Sequence, residues 1–154
     1  MALFFRAVVG LGLGLGYMTL ALADKPDDQH RVKVEFRRAE TNPGEGLTEA
    51  TVPGTRNKVY LHKSADATNE DIAKARPIED TRGNPAIEIT FTKEGAKKMA
   101  KLSEEHKGKP LAILVDGKVI IAPRVTAKLS DKVWISGNFT KEEVEKLVKS
   151  IHGK

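Results

Sequence analysis

Apolar and polar residues alternate in two stretches of the chain, and each stretch predicts a β-strand. One stretch is RVKVEFRR at 31–38 and the other is AIEITF at 86–91. A period of two residues is typical of a strand with one face in the core and the other in water. The predicted core positions are Val32, Val34 and Phe36 in the first stretch and Ile87, Ile89 and Phe91 in the second.

The segment 111–125, LAILVDGKVIIAPRV, has apolar residues on both sides of Asp116-Gly117. An Asp-Gly pair between strand-like runs predicts a two-residue type I′ hairpin, so Asp116 and Gly117 are interpreted as turn residues. Continuous pairing from this turn predicts two apolar faces. The first comprises Leu111, Ile113, Val115, Ile120 and Ala122, and the second comprises Ala112, Leu114, Val119 and Ile121.

Two accounts of the second hairpin face remain open. In one, the loop predicted by two Pro-Gly pairs at 41–57 lies over this face as a structural cover. In the other, the face is partly open and receives a segment of another protein. Pro123 indicates that the second hairpin strand ends or becomes an edge. The candidate protein-binding residues are Ala112, Leu114, Val119, Ile121 and Pro123, with Trp134 or Ile135 as an extension.

The helices are predicted from their caps. Thr68 predicts a helix that ends near Arg76, before Pro77, and Thr92 predicts a helix to about His106. Thr140 begins the last helix through a capping box with Glu143. Further strands are predicted at 58–62 and 132–139. This order of elements predicts an α+β fold in which amphipathic helices pack on one face of a mixed, mainly antiparallel sheet.

The N-terminal segment 1–23 has the pattern of a secretory signal peptide, with Arg6 before an apolar run and Ala21-Leu22-Ala23 at its end. A retained membrane anchor is the alternative. Residues 24–30 are interpreted as a polar tether and 31–154 as one domain. Because the chain has no cysteine, a disulfide is excluded, and we expect an exported protein of a bacterial envelope.

Charge and candidate chemistry favour binding over catalysis. The net charge is +5, but positive and negative residues are interspersed, which argues against a nucleic-acid partner. The histidines His30, His62, His106 and His152 lack zinc-ligand spacing. We therefore expect no metal, no cofactor and no enzyme. His62 or His106 beside an acid in a cleft would reopen the question of catalysis.

Several short motifs within residues 58–151 are shared with a known family. They are Phe91-Thr92-x-x-Gly95, Leu102-Ser103, Gly108-Lys109, Leu111-Ala112-Ile113-Leu114, Asp116-Gly117-x-Val119, Ala122-Pro123, Ile135-x-Gly137 and Phe139-Thr140. The pattern resembles the head part of the first periplasmic domain of SecD/SecDF, an export-assisting membrane protein. It departs from the family pattern at Ser103, where threonine is expected, and at Ile121, where serine is expected.

The resemblance implies an extracytoplasmic α+β head that contacts exporting polypeptide and has no active site. SecD also has membrane spans and a base subdomain that do not fit here, so we do not expect this chain to be a proton-driven motor itself. The partner is then a polypeptide or a membrane protein of the envelope. The alternative function is a structural or regulatory domain that docks on one membrane sensor, peptidase or translocase component.

Overall fold

The computed structural model describes residues 32–152; the predicted signal peptide and polar tether lie outside this range. The described residues form nine strands, two α-helices and one 3-10 turn, Asn69–Asp71. The strands are β1 Val34–Glu40, β2 Thr48–Thr51, β3 Lys58–Leu61, β4 Ala67–Thr68, β5 Ile72–Glu79, β6 Pro85–Phe91, β7 Leu111–Val115, β8 Lys118–Ile121 and β9 Lys132–Ser136. The helices are α1 Lys93–Glu105 and α2 Lys141–His152.

The strands form two sheets. The six-stranded sheet has the order β2-β3-β1-β7-β8, with β4 also paired to β1, and the three-stranded sheet has the order β5-β6-β9. Every pairing between these strands is antiparallel. The α+β class is therefore confirmed, while the expectation of one mixed sheet is corrected to two antiparallel ones.

One core joins the two sheets and both helices. Phe36 of β1 meets Phe91 of β6 edge-on, with ring centroids 5.4 Å apart. Met99 of α1 and Val144 of α2 are buried in the same cluster. Burying each large apolar side chain contributes about 1.5–3 kcal/mol, so this shared cluster holds the two sheets together. Neither helix within 32–152 has the length and apolarity needed to cross a membrane.

The helix predicted after Thr68 is wrong. Thr68 does act as an N-cap with a capping box, but only for the 3-10 turn, and the chain then enters strand β5. Strand β5 can contain Pro77 because β5 lies at the edge of its sheet. The N–H that proline lacks would point away from β6, so no hydrogen bond between the strands is lost. Pairing with β6 along its full length has overridden the local helical signal.

The other two predicted helices are confirmed with their caps. The hydroxyl of Thr92 accepts a hydrogen bond from the Gly95 amide at 3.0 Å at the start of α1. At the start of α2, the Glu143 amide donates to the Thr140 hydroxyl at 3.1 Å, and the Thr140 amide donates to the Glu143 carboxylate at 2.8 Å. These bonds satisfy backbone donors that a helix leaves unpaired in its first turn.

The hairpin turn is confirmed, but its predicted register holds only near the turn. Asp116 and Gly117 both have positive φ, 49° and 77°, as a type I′ turn requires. Leu114 pairs with Val119 as predicted, whereas Ile113 pairs with Ile121 instead of Ile120. One extra residue in β8 moves the following side chains to the opposite face. Ile121 therefore packs against the main core, and the prediction that it shares a face with Leu114 is wrong.

The second hairpin face is buried in a small core of its own. Ala112, Leu114 and Val119 are 0%, 2% and 7% exposed. They cluster with Val59 and Leu61 of β3, and Ala50 and Val52 pack against them. Strands β2 and β3 form a hairpin, residues 48–61, that covers this face. Because this hairpin includes the second half of the loop predicted at 41–57, the structure supports the account in which that segment is a structural cover.

Candidate binding site

An apolar cavity lies between the end of β8 and the edge of β9, and we call it the β8–β9 slot. Its volume is about 340 Å³, at the lower end of the range of ligand cavities. Ile121 to Leu129 supply one wall, Val133 to Ser136 of β9 supply the other, and core side chains form the floor. The lining residues are Phe36, Met99, Leu111, Ile113, Ile121, Pro123, Arg124, Val125, Thr126, Ala127, Leu129, Val133, Trp134, Ile135 and Ser136.

Trp134 marks the mouth of the β8–β9 slot. It is 60% exposed, and it is the one large apolar side chain within 32–152 that is so open to solvent. Its indole N–H donates a 3.0 Å hydrogen bond to the carboxylate of Glu88 on the neighbouring strand β6. An exposed aromatic side chain whose polar group is hydrogen-bonded to a neighbouring residue is typical of a binding surface.

Glu88 is fixed by a second partner as well as by Trp134. The Nε of Arg76 on β5 donates to the other carboxylate oxygen at 2.7 Å. The hydrogen bond from Arg76, aided by that from Trp134, lowers the pKa of Glu88 from about 4.5 to about 2. The outer face of the three-stranded sheet therefore keeps a charged Arg76–Glu88 pair beneath the indole near neutral pH.

The five predicted binding residues divide between the core and the surface. Ala112, Leu114 and Val119 lie beneath the 48–61 hairpin. Ile121 and Pro123 line the β8–β9 slot. Trp134 and Ile135, named as an extension of the hairpin face, line the same slot from the opposite side. The role of these residues in protein binding stays a prediction.

A second cleft lies on the other side of Ile121 and Pro123. It has a volume of about 720 Å³ and separates these residues from the 52–60 part of the β2–β3 hairpin. Its lining is more polar and includes Arg56 and Lys58, and Lys58 is paired with Glu49 at 2.8 Å. The β8–β9 slot is lined by fewer polar and charged side chains than this cleft.

Two of the four histidines meet at the junction of β1 with β3. The imidazole of His62 lies 3.3 Å from the carboxylate of Glu40, which also pairs with Lys109 at 3.1 Å. Burial raises the pKa of Glu40, but hydrogen bonds from His62 and Lys109 lower it by a larger amount. The pKa of Glu40 therefore lies below its ordinary value. The ring of His106 lies edge-on to that of His62, with centroids 6.3 Å apart.

The surroundings of His106 indicate a structural role for this cluster. Its Nε2 is 3.0 Å from the Ala39 carbonyl and 3.1 Å from the Pro110 carbonyl, so it is a donor to the backbone and is not directed at a ligand. Within residues 32–152, no group of three His, Asp or Glu side chains is placed to hold a metal ion. Arg124 is the one ionisable residue among those lining the β8–β9 slot.

Two features of the β8–β9 slot could not be predicted from the sequence. One is the wall formed by residues 125–129, and the other is the hydrogen bond from Trp134 to Glu88. The wall depends on contacts such as the bond from the Leu129 amide to the Ser103 hydroxyl, at 2.8 Å, which joins residues distant in sequence. The hydrogen bond depends on Glu88, which was predicted to lie on a wet face but is 6% exposed. A glutamate between Ile87 and Ile89, at the centre of β6, was the one available signal.

Comparison with known proteins identifies the family. The model of the SecDF P1 head subdomain matches residues 45–153. The chain therefore belongs to the family of the SecDF P1 head subdomain, as the motif resemblance predicted. The hairpin, the 121–129 wall and β9 all lie within the matched range.

Relatives and solved structures agree with this assignment. The chain is 38% identical over 92 residues to the protein translocase subunit SecD of Aquifex aeolicus, and 37% identical over 81 residues to the protein translocase subunit SecDF of Thermus thermophilus. These alignments cover 60% and 52% of this chain, but 18% and 11% of the relatives. The chain thus spans less than a fifth of the length of these relatives.

Two solved structures show the same fold. SecDF in its super-membrane-facing form matches 81% of this chain and 19% of its own, with a TM-score of 0.67 and 27% identity. A second structure, described as a membrane component SecDF that enhances protein export, matches 81% of this chain and 64% of its own, with a TM-score of 0.65 and 27% identity.

Proposed function

We propose that this chain is an exported, non-enzymatic binding module of the bacterial envelope that contacts polypeptide during protein export. The observation that carries the proposal is the apolar β8–β9 slot with Trp134 at its mouth. Membership of the SecDF P1 head family supports the link to export, because one related structure is described as enhancing that process.

Ile121, Pro123 and Trp134 make direct contact with the polypeptide in this proposal. Ala112, Leu114 and Val119 act from beneath by fixing the hairpin that carries Ile121. The apolar lining attracts apolar side chains of an unfolded segment, and it contributes about 25 cal/mol for each Å² of apolar surface removed from water. No acid–base or nucleophilic step is assigned to the slot.

Fluorescence anisotropy of a labelled apolar peptide tests the proposal on the whole chain. Trp134→Ala should weaken binding at least about tenfold, as expected when a central aromatic contact is removed. Tyr60→Ala is the matched control, because this aromatic residue lines the second cleft. Equal losses in the two variants, or a loss only in Tyr60→Ala, would contradict the assignment to the β8–β9 slot.

A second variant keeps the test independent of folding. Thr126 is exposed and lines the slot, so Thr126→Glu should preserve the thermal unfolding midpoint while weakening binding of the apolar peptide. Unchanged binding would contradict the proposal. Crosslinking through position 134 in intact cells addresses the alternative: many unfolded substrates are expected, and one stoichiometric neighbour would favour docking on a membrane protein.

A further inference from the structure

The four strands at the ends of the two sheets differ in how their free edges are protected. Natural proteins block edge pairing with prolines, bulges and charges. Strand β5 contains Pro77 and an irregular register at Ile72/Lys74, and β8 has a bulge and is followed by Pro123. Strand β2 is four residues long and is followed within two residues by Pro53. These three edges resist the addition of another strand.

Strand β9 lacks both a proline and a bulge. It has five residues, and its pairing with β6 runs without a shift from Thr90–Lys132 to Ala86–Ser136. The β8–β9 slot touches four consecutive residues, Val133 to Ser136. Successive side chains of a strand point to opposite faces of the sheet. A cavity that touches four successive residues therefore cannot lie on one face alone, and the slot runs along the edge of β9.

The backbone of β9 presents its hydrogen-bonding groups to that slot. The Phe91 amide donates to the Asp131 carbonyl at 2.7 Å, so residue 131 bonds toward β6. In an antiparallel ladder the bonded positions alternate. Residues 133 and 135 therefore also bond toward β6, whereas Lys132, Trp134 and Ser136 direct their N–H and C=O groups toward the free edge.

The side chains around β9 define the sequence that this edge accepts. An added strand places alternate residues beside Val133 and Ile135, at the core side of the slot. The residues between them lie beside Trp134 and Lys132. The outer face of this sheet also carries Lys74 and Arg76, and their register places them on the same face as Lys132. Arg76 is paired with Glu88, and the positive charge of Lys132 also acts on that carboxylate. The three cations outnumber this one acid, so acidic residues in an added strand complement this face.

We propose that the chain binds an extended polypeptide segment as an antiparallel strand added to the free edge of β9, with apolar residues facing the slot and acidic residues facing outward. This inference rests on the proposed function and specifies its recognition mode. The added strand receives its affinity from main-chain hydrogen bonds to residues 132, 134 and 136, and its specificity from the alternating side chains.

N-methylated peptides test the strand directly. The probe is a labelled peptide of about eight residues, in which valine and glutamate alternate, since this length spans the edge of β9. In the proposed register the glutamate amides face β9 and the valine amides face away. N-methylation of the two central glutamate residues should weaken binding at least about tenfold, through loss of two main-chain hydrogen bonds and a steric clash. N-methylation of the two central valine residues should change it little.

Ser136→Pro and Ser136→Ala form the matched protein variants. Both remove the hydroxyl, but only proline removes the N–H donor at the free edge. Because that N–H makes no ladder bond, both variants should fold, as far-UV circular dichroism will show. The proline variant should bind the unmethylated peptide about three- to tenfold more weakly than the alanine variant, the effect of one hydrogen bond.

The outcomes separate this inference from the proposed function. If Trp134→Ala weakens binding while both methylated peptides bind equally well, the slot binds polypeptide without strand addition and the inference is overturned. A loss confined to the valine-methylated peptide overturns the antiparallel register. If no peptide binds the native chain, the proposed function fails as well.

Discussion

The indole N–H of Trp134 donates a 3.0 Å hydrogen bond to the carboxylate of Glu88, a residue of the neighbouring strand. Trp134 is largely exposed and Glu88 is buried. This pair restrains the orientation of an aromatic ring that is 60% exposed to solvent. The β8–β9 slot consequently has an ordered aromatic residue at its mouth, which lowers the entropy lost on binding.

The first prediction concerns this pair. In Glu88→Ala, the indole loses its acceptor, so it should become more mobile and less anisotropic in fluorescence. The chain has one tryptophan, so the signal reports on Trp134 alone. Glu88→Gln is the matched control, because its amide oxygen retains the ability to accept from the indole. Equal anisotropy in all three proteins would show that the bond does not orient the ring.

The second prediction follows from the pKa of Glu88. The Arg76 and Trp134 hydrogen bonds hold it at about 2 in the folded chain, below its ordinary value of 4.5. A depressed folded-state pKa stabilises the fold above the unfolded pKa, and this stabilisation is lost as the pH falls through the interval from about 4.5 to about 2. Urea unfolding between pH 7 and pH 2 should show a steeper acid loss in the native chain than in Glu88→Gln.

The control for this acid titration is Glu142→Gln, at an exposed position of α2. This variant should retain the steep acid loss of the native chain. A Glu88→Gln profile parallel to the native one would contradict the assignment of this acid sensitivity to the Arg76–Glu88–Trp134 contact.

The third prediction separates the buried hairpin face from the slot. Leu114 is 2% exposed, so Leu114→Ala should lower the free energy of unfolding by about 2–5 kcal/mol, as expected for a cavity in a core. Lys118→Ala, at an exposed position of the same hairpin, should change it by less than about 0.5 kcal/mol. Because Leu114 supports the hairpin without touching the peptide, folded Leu114→Ala should lose much less peptide affinity than Trp134→Ala. A large loss of affinity without loss of stability would instead make Leu114 a direct contact.

The fourth prediction concerns the hairpin turn. Gly117 has φ 77° and no neighbouring atom would obstruct an added Cβ, so the cost of Gly117→Ala is backbone strain alone. We expect about 1–2 kcal/mol of destabilisation by chemical denaturation. Asp116→Asn should be close to neutral, because asparagine tolerates positive φ and keeps an acceptor for the Lys33 amide. If Gly117→Ala is also neutral, the turn is not under this strain.

Local signals in the sequence were sufficient for the elements whose cause is local. The Thr92 and Thr140 caps and the Asp116-Gly117 turn depend on residues within a few positions of each other, and all three are confirmed. The family resemblance, carried by motifs around the same elements, is also confirmed.

The errors arose where distant partners decide the structure. The β5 segment has a helix cap and a helical composition at its start, yet its pairing with β6 makes it a strand. The bulge in β8 has no signal in its apolar sequence, since Ile120 and Ile121 suit either face equally. The alternating sequence of β1 predicts that Glu35 faces water, but Glu35 is 3% exposed and pairs with Lys33 and Arg37. Strand β1 is therefore covered on both faces at this position.

The candidate site could be predicted only in part for the same reason. Ile121, Pro123 and Trp134 were named from their apolar character and position, and the structure places all three around one slot. The prediction includes three buried residues because the 48–61 hairpin covers them, whereas the sequence predicts a loop at 41–57 and a strand only at 58–62. The β7–β8 hairpin is covered by the 48–61 hairpin, which lies fifty or more residues away in sequence, so local sequence patterns do not indicate this burial.

The most direct test of the central claim is an NMR titration of the isotope-labelled chain with an unfolded polypeptide. The account predicts that the amide shifts that change most lie within 121–136, which includes both walls of the β8–β9 slot. Amides of the 52–60 segment, in the second cleft, should change little. Shifts concentrated at 52–60, with residues 132–136 unaffected, would contradict the account.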